Sequence, residues 1–317
     1  MIDRATNGTV PRREELTMSR SPGDEVCLAS LERKLQLVRD RTRGVVEGYA
    51  TGFHLWGDGG IGKSCTVLGE LERLRADFTL FNSHLTARGP FDNLVEFPHS
   101  VHVLEDCEAL LKDRSALGVL RSALWSQGEQ RHAERRVTWR SHGGDLSVGF
   151  TGGLILLCNT RLDDIPELRA VKTRISSLQL TATHEELAAF VRRLAGKGYT
   201  LGEESIPPAD CAVIAEAVIA RCVGLKRSLD IRLLVNAFRD YLQHRAGHSR
   251  TGWEDLLDAR LREATTVGTS RAERVEWERR LAFRIQGMAV STAEKERLWR
   301  EATGKSMDAF YRRLRGD

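Results

Sequence analysis

Eight consecutive residues, Gly57-Asp58-Gly59-Gly60-Ile61-Gly62-Lys63-Ser64, leave this 317-residue chain few ways to fold around them. Four glycines in eight positions suit neither a helix interior nor a strand interior, and they free the backbone to turn its N–H groups inward around an anion. An apolar run, Gly52 to Trp56, precedes the loop, and a helical pattern, Cys65 to Leu74, follows it. Strand, glycine loop and helix in that order fit G-x-x-x-x-G-K-[ST] at every fixed position and aim the positive end of a helix into the loop. The expected ligand is a nucleoside triphosphate. Backbone from Gly57 through Cys65 would surround its phosphates, Lys63 would reach the β and γ phosphates, and the Ser64 hydroxyl would ligate Mg²⁺. Gly304-Lys305-Ser306 repeats the last three letters, but Trp299 stands where the first glycine is needed, so no cradle is expected there.

Around this loop the pattern is that of a parallel sheet. Gly52 to Trp56, Phe78 to Phe81, Val101 to Leu104, Leu154 to Cys158 and Ile175 to Leu180 are short apolar runs separated by helical segments, which predicts an α/β sheet sandwiched by helices over residues 25–180. Residues 1–24 lack apolar periodicity and read as a disordered tail. From 181 to 263 the pattern is wholly helical and opens on a capping box, Thr183 with Glu186, which predicts a helical lid. Residues 264–317 read as a small helical C-terminal domain.

Composition narrows the class further. With 41% hydrophobic residues the chain can bury a core, and 48 Lys and Arg against 44 Asp and Glu leave only +4, so any basic surface must be local. Residues 271–317 alone hold 12 Lys and Arg against 8 Asp and Glu. No run is long and apolar enough to cross a bilayer, and no apolar signal-peptide core is present, so a cytoplasmic protein without membrane contact is expected. The six cysteines, Cys27, Cys65, Cys107, Cys158, Cys211 and Cys222, are scattered singly and read as reduced packing residues.

Hydrolysis of a triphosphate needs one carboxylate at the metal and another to orient water, both at a strand end beside the cradle. Val101-His102-Val103-Leu104-Glu105-Asp106 offers them about 40 residues after Lys63. Here the sequence resembles the AAA+ ATPases, whose second motif is an apolar strand ending in Asp then Glu; in this chain the two acids are reversed. By position the resemblance gives Glu105 the metal role, with Ser64 and Asp106 beside it, and gives Asp106 the water-orienting role. Asn159, after Leu154 to Cys158, matches the family's sensor 1, Arg174 its arginine finger, and Arg232, at the start of Asp230 to Ala237, its sensor 2, with Arg227 as a nearby competitor. The implied cofactors are ATP and Mg²⁺, and the implied assembly is a homo-oligomer. A closer likeness to ATPases of phages, plasmids and other mobile elements is carried by Gly44 and Gly48, by Leu85 to Phe91, and by Val137-Thr138-Trp139 before Phe150 to Gly153.

Two segments could touch DNA. Residues 135–146 predict a hairpin carrying Arg136, Trp139 and Arg140, basic groups beside an aromatic as phosphate tracking requires. In the tail, Ser291 caps one helix and Ser306 another from Met307 to Arg315, with Met307, Phe310 and Leu314 as its buried stripe. Helix–turn–helix spacing would expose Lys305, Ser306, Tyr311, Arg312, Arg313 and Arg315 to DNA. The sequence therefore predicts an Mg²⁺-ATP-dependent AAA+ ATPase acting on DNA or a DNA-bound complex, plausible in mobile-element or phage replication or transposition. Two alternatives stay open: an ATP-switched DNA-binding regulator that does no mechanical work, and a signalling or defence ATPase whose tail binds protein.

Overall fold

The computed structural model describes residues 22–266 and 278–315, except residues 83–85, 108–109, 126–129, 142–143, 160, 162–168, 226, 280, 284, 289 and 304. The chain divides into two compact units, one ending at His248 and the other beginning at Ser249.

The first unit opens with α1 (Pro22–Val46), β1 (Gly52–Trp56), α2 (Lys63–Arg73), β2 (Phe78–Phe81), α3 (Gly89–Glu96), β3 (Val101–Glu105) and α4 (Arg114–Leu124). There follow the hairpin β4 (Arg135–Ser141) and β5 (Gly144–Phe150), then β6 (Gly153–Cys158), α5 (Arg169–Lys172) and β7 (Ser176–Gln179). All five expected core strands form, in one parallel sheet ordered β2-β3-β6-β1-β7. Every position of β6 and four of five in β1 are buried, because helices cover both faces of a parallel sheet; such strands read as unbroken apolar runs. Trp56 lies beside Cys158 and Glu105 beside Leu157, so the residues that follow, Gly57, Asn159 and Asp106, all emerge at the carboxyl edge. Ligands of open α/β sheets sit at this edge. At the opposite edge the packing tolerates no side chain at Gly152, where a Cβ would overlap the Ser100 carbonyl oxygen. Strand order and glycine loop together define an α/β P-loop NTPase fold.

Helix α1 starts at Pro22, three residues inside the segment expected to be a tail; the rest of that segment lies outside the described residues. The N-terminal helix is held from the lid: Lys34 Nζ bonds the Glu186 carboxylate at 2.7 and 2.8 Å and the Thr181 carbonyl at 3.1 Å. Glu186 also completes the expected capping box with Thr183 at the start of α6 (His184–Ala195).

The lid departs from its sequence pattern in one place. Between α6 and α7 (Pro208–Gly224) lies a hairpin of three-residue strands, β8 (Tyr199–Leu201) and β9 (Glu204–Ile206), turning at Gly202 with φ 61°. Three residues are too few to show a period of two, so a wholly helical reading passed over them. Tyr199 anchors the hairpin by packing on Phe238 of α8 (Ile231–Arg245), ring centroids 4.9 Å apart.

The second unit contains α9 (Trp253–Thr266), α10 (Thr292–Thr303) and α11 (Met307–Arg315). The lid was expected to run to 263, but the division at 248/249 groups α9 with the C-terminal helices. The two final helices form as expected, and Met307, Phe310 and Leu314 do face a common core. Its centre is Trp299, fully buried, edge-on to Phe310 at 5.4 Å, with its indole N–H donating to the Ser306 carbonyl at 3.0 Å. Set aside in the sequence as the residue that spoils a second glycine loop, Trp299 is the anchor of this unit.

Two expected surface cations are not free there. Glu278, with its side chain 2% exposed, receives Lys305 at 2.5 Å and Arg313 at 3.0 Å, and Arg313 is only 18% exposed. Burial pushes the Glu278 carboxyl up, but hydrogen bonds from Lys305 and Arg313 outweigh it and hold it below its ordinary 4.5. A depressed carboxylate stabilises the fold above its unfolded pKa, and the contribution is lost as pH falls through the folded value. Glu278→Gln should therefore weaken protection of α10 and α11 amides from hydrogen exchange at pH 7 by about 3 kcal/mol, less than the upper range because Lys305 can turn to solvent. As pH falls through the depressed folded value, wild type and variant should converge.

Candidate nucleotide site

The glycine loop adopts the shape its residues permit. Gly57, Gly60 and Gly62 have φ of 149°, 75° and 92°. A Cβ on Gly57 would also strike the Leu180 carbonyl oxygen, and one on Gly60 would stand 2.5 Å from Asp230 Cβ. The second contact marks where the lid meets the loop. Asp230 caps α8 by accepting from Leu233 N at 2.8 Å, and the adjacent Ile231 N–H donates to the Gly60 carbonyl at 3.0 Å. One polypeptide turn thus ties the lid to the phosphate loop, and it places Arg232 at the loop, its Nη1 3.9 Å from a Cβ built on Gly59.

Lys63, the first residue of α2, folds its ammonium over this loop. Its Nζ donates to the Gly57 carbonyl at 2.7 Å, the Asp58 carbonyl at 2.8 Å and Asn159 Oδ1 at 3.1 Å. Burial pushes the Lys63 ammonium below its ordinary 10.5; Asp106 opposes the shift and Arg232 adds to it. Asn159 Nδ2 in turn donates to Asp106 Oδ1 at 3.3 Å. Asp106 stands in the left-handed region at φ 51°, with its N–H on the Leu157 carbonyl at 3.2 Å, so the chain leaves β3 through a sharp turn. The Ser64 hydroxyl donates to Glu105 Oε1.

Strand-end acids, amide, lysine and serine are therefore contiguous. Glu105, Asp106, Asn159, Lys63, Ser64 and Arg232 all line one cleft of about 870 Å³ between sheet edge, α1, α2 and lid. The donor set suits Mg²⁺: a hydroxyl and a carboxylate converge on one point with a second carboxylate beside them, all hard oxygens. Among the described residues no three His, Cys, Asp or Glu side chains cluster as a metal cage.

Other expectations fare differently. Cys65 is exposed and lines the cleft, so it is not a packing residue; among the other cysteines Cys27 is half-buried and four are buried. Arg232 reaches the cleft, whereas Arg227 is not among its lining residues. Arg174 is half-buried at the far edge of the sheet, donating to the Arg121 carbonyl at 3.0 Å with its guanidinium 5.6 Å from the Trp125 ring. The hairpin β4–β5 forms from Arg135 and runs to Phe150, past the expected end at 146. Arg136, Thr138 and Arg140 are exposed on it, and Arg140 faces Asp145 at 3.6 Å. Trp139 points the other way, half-buried and packed on the core beside Phe91, ring centroids 6.4 Å apart.

Residues that sequence reasoning missed are Arg39, Arg73, Arg193 and Arg239, which also line the cleft. Arg239 had a legible signal: Arg232, Val235, Asn236 and Arg239 recur at i, i+3, i+4 and i+7, one face of α8. The others arrive from α1, α2 and α6, and no local pattern joins them. Missed too was Arg135, buried at the base of the hairpin, whose guanidinium donates to the carbonyls of Ala123 at 2.8 Å, Phe150 at 3.3 Å and Gly152. Burial pushes it down to about 10.

The sequence matches no protein-family model and no curated protein. Among solved structures the chain is similar to a point mutant of Thermotoga maritima RuvB, 15% identical with a TM-score of 0.45, over 89% of this chain and 84% of that one. It is also similar to Cdc6p from Pyrobaculum aerophilum, 16% identical with a TM-score of 0.45, over 91% and 85%. Likeness at this level is one of general shape; the fold assignment stands on strand order and loop.

Proposed function

We propose that the chain is an ATPase of the AAA+ kind that works with Mg²⁺, oligomerises, and acts on DNA or a DNA-bound complex. The observation that carries this reading is the meeting of Lys63, Ser64, Glu105, Asp106 and Asn159 at one sheet edge. The backbone from Gly57 to Cys65 holds the phosphates, with Lys63 leaving its carbonyl partners for the β and γ oxygens. Ser64 and Glu105 would hold Mg²⁺, which when bound supplies neutralising charge at those oxygens. Asp106 orients the attacking water and accepts its proton, and Asn159, already bonded to both Asp106 and Lys63, aligns it with the γ-phosphate. Arg232 reports the γ-phosphate to the lid through the Asp230–Ile231 turn, and Arg174 would act on a neighbouring copy after leaving the Arg121 carbonyl.

DNA is proposed to meet Ser306, Arg312 and the exposed hairpin residues Arg136 and Arg140, with Lys305 and Arg313 joining once released from Glu278. A mobile-element setting rests on the sequence resemblance. The Glu278 pairing also favours a second reading, in which the tail docks a protein.

The deciding experiment measures ATP turnover with no DNA, with single strands and with duplex, together with mass in solution with ATP. Turnover that rises with DNA, and mass that rises with ATP, support the proposal. Turnover indifferent to both DNA forms at low salt, where phosphate contacts are strongest, favours the protein-docking tail. No ATP turnover despite ATP binding leaves the nucleotide switch.

A further inference from the structure

The cleft continues well past the phosphate loop, and its outer end has the wrong charge for a nucleoside alone. Its 870 Å³ lies near the upper end of ligand pockets, roughly 300–1,000 Å³. Arg73 stands ten residues after Lys63 on α2, about 15 Å along the axis, and Arg239 seven residues after Arg232 on α8, about 10 Å. Arg39 and Arg193 complete the set from α1 and α6.

The structure answers only part of this charge. Glu70 takes Arg73 in a two-pronged pair, at 2.8 and 2.7 Å, and Glu32 takes Arg39 at 2.6 Å. Arg193 has only a 3.9 Å approach to that same Glu32, its guanidinium lies 4.9 Å from the Phe190 ring, and its Nε is buried without an acceptor among the described residues. Arg239 makes no ion pair among the described residues. A buried guanidinium donor with no acceptor costs stability unless something outside the chain completes it. A cleft with apolar walls focuses the field of such excess cations onto an anion.

We infer that the outer end of the nucleotide cleft, formed by Arg39, Arg193 and Arg239, binds a second phosphate-class anion distinct from the triphosphate. This anion is either a 2′- or 3′-phosphate carried by the bound nucleotide itself or a separate oligophosphate seated beside it. The inference rests on the proposed nucleotide site.

Calorimetry on the full chain tests it with ATP as the reference ligand. In one arm, adenosine 3′,5′-bisphosphate and its 2′,5′ isomer are compared with AMP; in the other, tripolyphosphate is titrated into ATP-saturated protein. A bisphosphate bound about tenfold more tightly than AMP, with the ratio falling toward one in Arg193→Met/Arg239→Ala, supports an attached phosphate. Equal bisphosphate and AMP affinities with tripolyphosphate binding that the double variant loses support a separate anion. Normal ATP binding with neither effect overturns the second site alone. No ATP binding overturns the nucleotide site and this inference together. Arg193→Met keeps an aliphatic stem on Phe190, and Arg239→Ala changes an exposed position, so both variants should fold.

Discussion

Lys63→Met should weaken ATP binding by roughly 30-fold to several thousand-fold, the range expected when one member of a buried, hydrogen-bonded charge pair is removed, about 2–5 kcal/mol. The loss should appear in calorimetry or in displacement of a fluorescent nucleotide, and the fold should survive it. Burial already holds the Lys63 ammonium below its ordinary pKa, so the charged form is disfavoured in the folded, ligand-free chain. For a lysine shifted down, stability rises as pH climbs from the folded value toward 10.5. Methionine abolishes that ammonium cost while keeping the stem, and the ligand-free variant should unfold at no lower temperature than wild type. A lysine that merely tied Gly57, Asp58 and Asn159 together would give the reverse pair of results: lower unfolding temperature, unchanged ATP affinity.

Asp106→Asn separates binding from turnover. Asparagine keeps the size and can still meet Asn159, but it cannot take a proton from water, so turnover should fall by about 10²–10⁴. ATP affinity should stay within a few-fold, because Lys63, Ser64 and the loop backbone are untouched, and oligomers should persist with ATP bound. Turnover equal to wild type would falsify the role given to Asp106 and pass the water-orienting task to Glu105. The reversed order of the acids makes this a real choice. Glu105 is committed by its contact with Ser64, whereas Asp106, turned back at φ 51°, meets Asn159.

Much of this site is legible in the amino-acid sequence. The loop announces itself by glycine spacing, since glycine readily takes the φ of 75° and 92° found at Gly60 and Gly62, and its missing Cβ leaves room for Leu180 beside Gly57 and Asp230 beside Gly60. The five core strands were legible because a strand buried on both faces has to be apolar throughout. Asn159 and the two acids were legible because each lies at the end of such a strand: Glu105 closes β3, and Asp106 and Asn159 directly follow β3 and β6. What escaped was short or assembled from afar: β8 and β9 at three residues each, Arg135 bonding three separate carbonyls, and Glu278 bound by Lys305 and Arg313.

The amino-acid order by itself determined a phosphate loop between strand and helix, a parallel sheet, and two helices closing the chain, because each depends on local conformation and on burial periodicity. Only the tertiary structure decided which charges are free to act. Trp139 and Arg313 are indistinguishable from surface residues in the sequence, yet one packs against Phe91 and the other is held by Glu278. Conversely Arg39, Arg193 and Arg239, each unremarkable in its own helix, meet in one cleft. The physical reason is that a side chain's charge and shape are local properties, whereas its partners come from other segments, and the fold alone chooses them.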